Sequence, residues 1–266
     1  MRRNFALAFF LVLLLLSYLA LLDRIAPYIG ITLRPRPLQH VWPSRQQTFL
    51  FDLAALPLFH RGDVSQGTAF NIDGAERWLT ARHVVTPCLA GQFSGQIDGE
   101  PINLVTADGH NDVAVVRTAG HSAHRLGLRI IYAPDDKAEH ATIVGFPGNS
   151  AAEVEVERIG SGVARSVGRA EEVSVWVTGD RSPPGDYGLA GMSGAPVLDD
   201  FNNVVGVLSA EVPRRGRVLV ARIGDWTATE GQHIAPARTF DEHLPSGELI
   251  RRMVEDRAVV RLRCSS

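Results

Sequence analysis

Short apolar runs that alternate with polar residues dominate the chain from residue 67 to residue 223, and Gly, Pro, Asn or Asp separates them. Evenly spaced runs of this kind, with turn residues between them, are typical of antiparallel barrels or sandwiches. The runs fall into two sets. We expect strands at 67–72, 77–85, 102–107 and 112–118 in the first set, and at 141–146, 153–159, 172–179, 195–199, 203–212 and 217–223 in the second. The pattern predicts an all-β protein built from two β units.

A helical pattern comes only towards the C-terminal end of the sequence. Pro236 opens a stretch that runs to residue 244, and Ser246 can cap a second helix that carries Glu248 in its first turn. We therefore expect residues 236–266 to form helices followed by a tail.

The N-terminal end carries an uncharged apolar run of 18 residues from Phe5 to Leu22. At ~1.5 Å per residue the run makes roughly 27 Å of helix, close to the hydrocarbon thickness of a bilayer. We interpret residues 1–24 as a transmembrane anchor. A cleaved signal peptide is the alternative, although no good small-residue cleavage site follows the run. Residues 25–45 contain four prolines and are predicted to form an extended linker.

Composition narrows the function further. With 45% hydrophobic residues, 21% charged residues and a net charge of −2, the chain is globular and lacks the basic patch of a nucleic-acid-binding protein. Its two cysteines, Cys88 and Cys264, either form a disulfide or remain two unrelated thiols, and their spacing does not decide between these. Neither cysteine has metal-ligand neighbours, so we expect no metal and no cofactor.

Three separate segments carry residues suited to nucleophilic catalysis. The turn-like segment 191–196 (GMSGAP) places Ser193 between glycines, where backbone N–H groups can converge on an oxyanion. His83 follows an apolar strand pattern and can act as a base, and Asp112 opens another apolar run and can orient an imidazole. Each residue alone also has an ordinary structural explanation, as a turn serine, a surface histidine or a strand-flanking acid. Their order and contexts together favour a catalytic triad.

These segments resemble the chymotrypsin/trypsin-fold serine peptidases, and specifically the bacterial trypsin-like branch that includes the HtrA and Do-type proteases. GTAF (67–70) and WLTARHVV (78–85) resemble the "GSGF…ILTNAHVV" of that branch, and NDVAVV (111–116) resembles "DLALL". GMSGAPVLDDFNNVVGVLS (191–209) resembles "GNSGGPL…G.VVGI". The resemblance covers roughly residues 65–245.

The resemblance implies two antiparallel six-stranded β-barrels, the first over 46–130 and the second over 131–235, with C-terminal helices in 236–266. It assigns His83 as the general base, Asp112 as its orienting acid and Ser193 as the nucleophile. The N–H groups of Gly191 and Ser193 would bind the oxyanion.

The same resemblance implies a substrate site. Ser209 would contact the buried acid, and the strand segment Leu208, Ser209 and Ala210 would pair with the substrate backbone. Tyr187, six residues before the nucleophile, would lie at the floor of the primary specificity pocket. Because an aromatic ring offers no charge to a buried cation, we expect cleavage after small or medium apolar residues.

The sequence also departs from the resemblance. Met192 stands where the zymogen-forming members carry an acid, so we expect no activating cut. The residues beyond the last predicted helix are too few for the PDZ domain that HtrA proteases usually carry.

The expected function is therefore that of a serine endopeptidase with protein or peptide substrates. Arg2 and Arg3 favour a cytoplasmic N-terminus, which places the catalytic domain in the periplasm or another extracytoplasmic space of a bacterium, tethered to the inner membrane. Some relatives form trimers, so a homo-oligomer fits the resemblance. The alternative is a catalytically silent pseudoprotease that binds peptides or proteins in the same cleft.

Overall fold

The computed structural model describes residues 48–52, 64–89, 94–107, 111–119, 126–130, 138–166, 169–185, 187–212, 216–223 and 247–265. All of them lie in one compact unit that spans residues 46–266. The strands are β1 (Thr48–Asp52), β2 (Val64–Asn71), β3 (Arg77–Thr80), β4 (Ser94–Ile97), β5 (Glu100–Ala107), β6 (Ala114–Thr118), β7 (His140–Gly145), β8 (Ala152–Ser166), β9 (Arg169–Ser182), β10 (Pro196–Leu198), β11 (Val204–Val212), β12 (Arg217–Ala221) and β13 (Val259–Ser265). The helices are α1 (Arg82–Leu89) and α2 (Glu248–Glu255).

The first barrel is a closed ring of six antiparallel strands in the order β13-β2-β3-β6-β5-β4. The ring closes where β4 pairs with β13. Phe70, Leu79, Val116 and Leu262 are all buried and belong to one hydrophobic cluster.

The second barrel contains the strands β8-β7-β10-β11-β12-β9 and closes through the pairing of β8 with β9. All six pairings are antiparallel. Strand β1 adds to its outside, parallel to β8. The core of this barrel includes Ile143, Val154, Trp176, Val197 and Val220. The predicted pair of antiparallel six-stranded barrels is thus confirmed.

The C-terminal segment differs from the expectation of helices and a tail. Helix α2 forms, but its N-cap is Gly247 and not Ser246, and the chain then continues as strand β13. In β13 the buried Leu262 and Cys264 alternate with the more exposed Arg261 and Arg263, which is a strand period and not a helical one. The strand bridges β2 and β4, whose edges would otherwise lie open. The predicted helix over 236–244 lies outside the described residues.

Two other boundaries also differ from the sequence expectation. Strand β1 lies in the interval expected for the first barrel, yet it pairs with the second. The strand expected at 77–85 ends at Thr80, and a helix starts at Arg82. This helix buries Val84 and Val85 against the first barrel.

A disulfide joins Cys88, in helix α1, to Cys264, in strand β13, across 176 positions of sequence. Cys88 and Cys264 are therefore paired, which their spacing in the sequence did not decide. The bond connects the helix that carries His83 to the strand that closes the first barrel.

None of the helices in the described ranges is long and apolar enough to cross a membrane. The anchor and linker predicted for residues 1–24 and 25–45 lie outside the described residues.

Candidate active site

His83 lies in the first turn of helix α1, where the chain leaves strand β3. The valines that follow it are buried, which fixes the helix on the barrel and leaves the His83 side chain 21% exposed. Its Nδ1 lies 2.6 Å from Oδ2 of Asp112, and its backbone N–H donates to Oδ1 of the same carboxylate at 2.9 Å. The carboxylate therefore holds both the ring and the main chain of His83.

Asp112 lies two residues before the start of strand β6 and is only 5% exposed. A buried carboxylate is costly unless donors surround it. Besides the two donors of His83, the hydroxyl of Ser209 donates to Oδ2 at 2.6 Å. This is the contact that the resemblance implies for Ser209, and it comes from the second barrel.

The electrostatics of the pair favour an imidazolium. Burial alone lowers the pKa of His83, but the carboxylate of Asp112 more than offsets this, and Glu171 adds to the effect, so the pKa is raised above its ordinary value. Burial would raise the pKa of Asp112, but the charge and hydrogen bond of His83 and the Ser209 hydroxyl together hold it below its ordinary range. The pair can thus store a proton on the imidazole while the acid stays ionised.

Ser193 occupies a turn between two glycines with left-handed backbone. Gly191 has φ +96° and Gly194 has φ +91°. A Cβ at Gly194 would lie 2.2 Å from the carbonyl oxygen of Thr68, so only glycine fits there. The carbonyl oxygen of Ser193 accepts the backbone N–H of Thr68 at 2.8 Å, which ties the turn to the first barrel.

Ser209 links the three predicted triad residues. The hydroxyl of Ser193 donates to the carbonyl oxygen of Ser209 at 3.3 Å, while the hydroxyl of Ser209 donates to Asp112. Asp112 in turn accepts from His83. The structure thus brings Ser193, Asp112 and His83 into one hydrogen-bonded group, with His83 and Asp112 in direct contact and Ser193 joined to them through Ser209.

The backbone before Ser193 determines the direction of the predicted oxyanion donors. The carbonyl oxygen of Ala190 accepts the N–H of Gly148 at 3.1 Å. Because a trans peptide points its C=O and N–H in opposite directions, the N–H of Gly191 faces away from Gly148. In the described part of the chain, no acceptor takes the N–H of Gly191 or of Ser193. Both donors can therefore serve an incoming oxygen.

The predicted substrate strand is the later part of β11. Strand β11 pairs with β10 along one edge and with β12 along the other. Among the described strands, the pairing with β10 ends at Pro196 and Val207, whereas the pairing with β12 continues to Val212. A bulge lies between Leu208 and Ala210, at Ser209. The edge beyond Leu208 can thus accept an extended peptide.

Tyr187 packs beside this region. Its hydroxyl donates to the carbonyl oxygen of Pro183 at 3.1 Å, and the guanidinium of Arg181 lies 5.1 Å from its ring centre. Next along the chain, the N–H of Leu189 donates to Oε2 of Glu211 at 2.8 Å. A carboxylate therefore lies beside the predicted pocket, which the sequence did not indicate.

Residues 67–207, more than half of the chain, match the family described as the trypsin-like peptidase domain. The chain belongs to this family. The match covers strands of both barrels, from β2 into β11, and contains His83, Asp112 and Ser193. The family predicted from the sequence is therefore confirmed.

The solved structures that are similar to this peptidase domain have low sequence identity to it. The Rv3671c protease from M. tuberculosis in its active form is 20% identical, with 68% of this chain and 77% of that chain covered and a TM-score of 0.46. Deg5 is 18% identical, with 65% and 89% covered and a TM-score of 0.44. The NS6 protease from murine norovirus 1 is 16% identical, with 61% and 89% covered and a TM-score of 0.46. No curated protein matches the sequence.

Several residues of the peptidase site were not found from the sequence. Arg82, next to the candidate base, forms an ion pair with Glu171 of strand β9, and both side chains are largely buried. Thr68 and Glu211 contact the loop before the nucleophile. Thr68 and Arg82 lie within the quoted segments 67–70 and 78–85, but those segments do not indicate their contacts, because the partners are far away along the chain.

Within the ranges that the structure describes, no group of three or more His, Cys, Asp and Glu side chains could hold a metal ion.

Proposed function

We propose that this peptidase domain is an active serine endopeptidase that hydrolyses peptide bonds through an acyl-enzyme on Ser193. The observation that carries the proposal is the buried Asp112 carboxylate, which is bonded at once to His83 and to Ser209, while Ser209 also accepts the hydroxyl of Ser193. A buried carboxylate with this set of donors stabilises an imidazolium. A histidine that takes the proton of a serine becomes an imidazolium and needs this stabilisation.

The proposed reaction begins when the Ser193 hydroxyl turns from the carbonyl of Ser209 to Nε2 of His83. His83 takes the hydroxyl proton as Oγ attacks the scissile carbonyl carbon, and the N–H groups of Gly191 and Ser193 bind the oxyanion. His83 then gives this proton to the leaving amine. A water molecule, deprotonated by His83, attacks the acyl carbon and releases the second product, and the proton returns to Ser193.

Substrate selection follows from the walls of the proposed pocket. The main chain of Ser209 and Ala210 would hold the substrate as an added strand, as in other proteins that bind extended peptides at a sheet edge. Leu208, which the resemblance put in the same segment, is left out because its N–H already donates to Ala195 and its C=O already accepts from Gly194. Tyr187 supplies a ring without charge, and one oxygen of the Glu211 carboxylate is already engaged by Leu189. We therefore propose cleavage after small or medium apolar residues.

A peptide library tests the specificity, with the Glu211→Gln variant as its control. We expect the same apolar preference in both proteins. Dominant cleavage after Arg or Lys that disappears in Glu211→Gln would show that this carboxylate, and not Tyr187, sets the pocket.

A fluorophosphonate probe tests the chemistry, because it labels only a serine whose proton has a base. We expect labelling of the wild type and none of Ser193→Ala or His83→Ala, with folding unchanged in each, since these side chains are partly exposed. The two losses in turnover should not add, because the groups act as a unit. A folded wild type that stays unlabelled but still binds peptides would identify the silent binding module instead.

We also propose that the run from Phe5 to Leu22 anchors the enzyme in the bacterial inner membrane with residues 46–266 outside the cytoplasm. The proposal rests on the length and apolar character of that run and on Arg2 and Arg3 before it. Protease added to spheroplasts should remove a C-terminal tag. A tag that is cut only after lysis would place the domain in the cytoplasm.

A further inference from the structure

Thr68 belongs to strand β2 of the first barrel, but it makes three hydrogen bonds to residues of the second barrel. It is fully buried. Its hydroxyl donates to the carbonyl oxygen of Gly191 at 3.0 Å and accepts the N–H of Phe146 at 3.1 Å. Its backbone N–H bonds the carbonyl of Ser193. Thr68 therefore contacts both Gly191 and Ser193, the two residues whose N–H groups are the proposed oxyanion donors.

The hydroxyl bonds two segments that flank the Ala190–Gly191 peptide group: Phe146, two residues before Gly148, and the carbonyl of Gly191, which belongs to the next peptide group. Gly148, which follows Phe146 closely, holds the carbonyl of Ala190 and thereby directs the N–H of Gly191. The Thr68 hydroxyl fixes the start of that segment through Phe146 and fixes the next carbonyl, that of Gly191, directly. It thus connects the loop 146–148 to the loop 190–193 at the point where the donor direction is set.

Beneath the turn 191–193 lies the uncharged side chain of Met192, whereas the charged Glu211 contacts the chain earlier, at Leu189. Met192 is fully buried in the core of the second barrel, where its side chain offers packing but no ion pair. Glycine at 191 has a wide choice of backbone conformations, so neutral hydrogen bonds must select the productive one. The Thr68 hydroxyl is placed to do this.

We propose that the Thr68 hydroxyl is a positioning group that keeps the N–H groups of Gly191 and Ser193 directed at the oxyanion. The inference rests on the proposed peptidase function and adds to it the means by which a residue of the first barrel orders the catalytic loop of the second. Thr68 does not touch the substrate, so its removal should act on the transition state more than on substrate binding.

The test compares Thr68→Val, which has nearly the same shape without the hydroxyl, with Thr68→Ser, which keeps it. Loss of one well-placed oxyanion donor typically lowers kcat about 100-fold or more, and a misdirected donor should cost part of that. We expect a roughly 10- to 100-fold lower kcat for Thr68→Val with KM changed by about twofold at most. The affinity for a peptidyl boronic acid, which forms a tetrahedral adduct on the serine, should fall in parallel. Thr68→Ser should restore most of both values.

Thr80→Val is the matched control, because it also removes a buried hydroxyl hydrogen bond, from Thr80 to the carbonyl of Thr68 at 2.7 Å. It should lower the unfolding temperature like Thr68→Val but leave kcat near that of the wild type. If Thr68→Val does not fold, Thr68→Ala is compared with Thr68→Ser, since both lose the methyl group and only Ala loses the hydroxyl.

Two outcomes overturn the inference separately from the function. They are wild-type kcat in a folded Thr68→Val protein, and an equal loss of kcat in Thr80→Val. A wild type that neither hydrolyses peptides nor reacts with the probe overturns the proposed function and this inference with it.

Discussion

Breaking the disulfide between Cys88 and Cys264 should remove a large part of the stability of this peptidase domain. The bond closes a loop of 176 positions. In the chain-entropy description, a loop of this length destabilises the unfolded state by about 5 kcal/mol. Typical domains are stable by only about 5–15 kcal/mol, so the loss should be evident at room temperature.

Urea unfolding of the oxidised wild type, of the reduced wild type and of the double variant Cys88→Ala with Cys264→Ala measures this contribution. We expect a lower midpoint in the last two samples, together with a steeper dependence on urea, because the unfolded chain without the cross-link exposes more surface. Each single variant should match the double variant, apart from the packing of the buried Cys264 side chain, since either change breaks the same bond. Equal midpoints for the oxidised and the reduced protein would refute the reasoning.

Three further predictions concern the site. Hydrolysis needs neutral His83, whose pKa is raised, so kcat/KM should rise with pH through a midpoint above 6.5. The Glu171→Gln variant removes one of the charges that raise this pKa and should move the midpoint to lower pH, and an upward shift contradicts the assignment. Gly194→Ala forces a side chain into left-handed backbone and against the neighbouring strand, so it should cost at least about 2 kcal/mol of unfolding free energy and most of the activity. Met192→Asp buries an unpaired carboxylate and should destabilise the fold by several kcal/mol, whereas Met192→Leu should cost less than about 1.5 kcal/mol; equal unfolding midpoints for the two would refute this.

The sequence was most informative where a function depends on local pattern. Alternating apolar runs predicted every strand of the second barrel and those of the first except β4 and β13, and short motifs located His83, Asp112 and Ser193. Each motif combines a strand end with a turn, and such features are encoded within about ten residues.

Contacts between distant strands could not be found in the same way. The hydroxyl of Thr68 and the carbonyl of Gly191 are 123 positions apart, and nothing near Thr68 indicates that partner. The ion pair of Arg82 with Glu171 has the same character. The role of β13 was missed for a related reason, since its period-2 pattern is short and follows a strongly amphipathic helix. Only the register of the closed barrel shows where such a strand belongs.

The closing strand β13 also bears on the order in which the two barrels can be completed. The second barrel uses residues 140–221 for all six of its ring strands, whereas the first needs β13, nearly two hundred positions after β2. A nascent chain can therefore complete the barrel that carries Ser193 while the barrel that carries His83 and Asp112 still has two unpaired edges. His83 and Ser193 therefore lie on two completed barrels only after residues 259–265 have joined the fold.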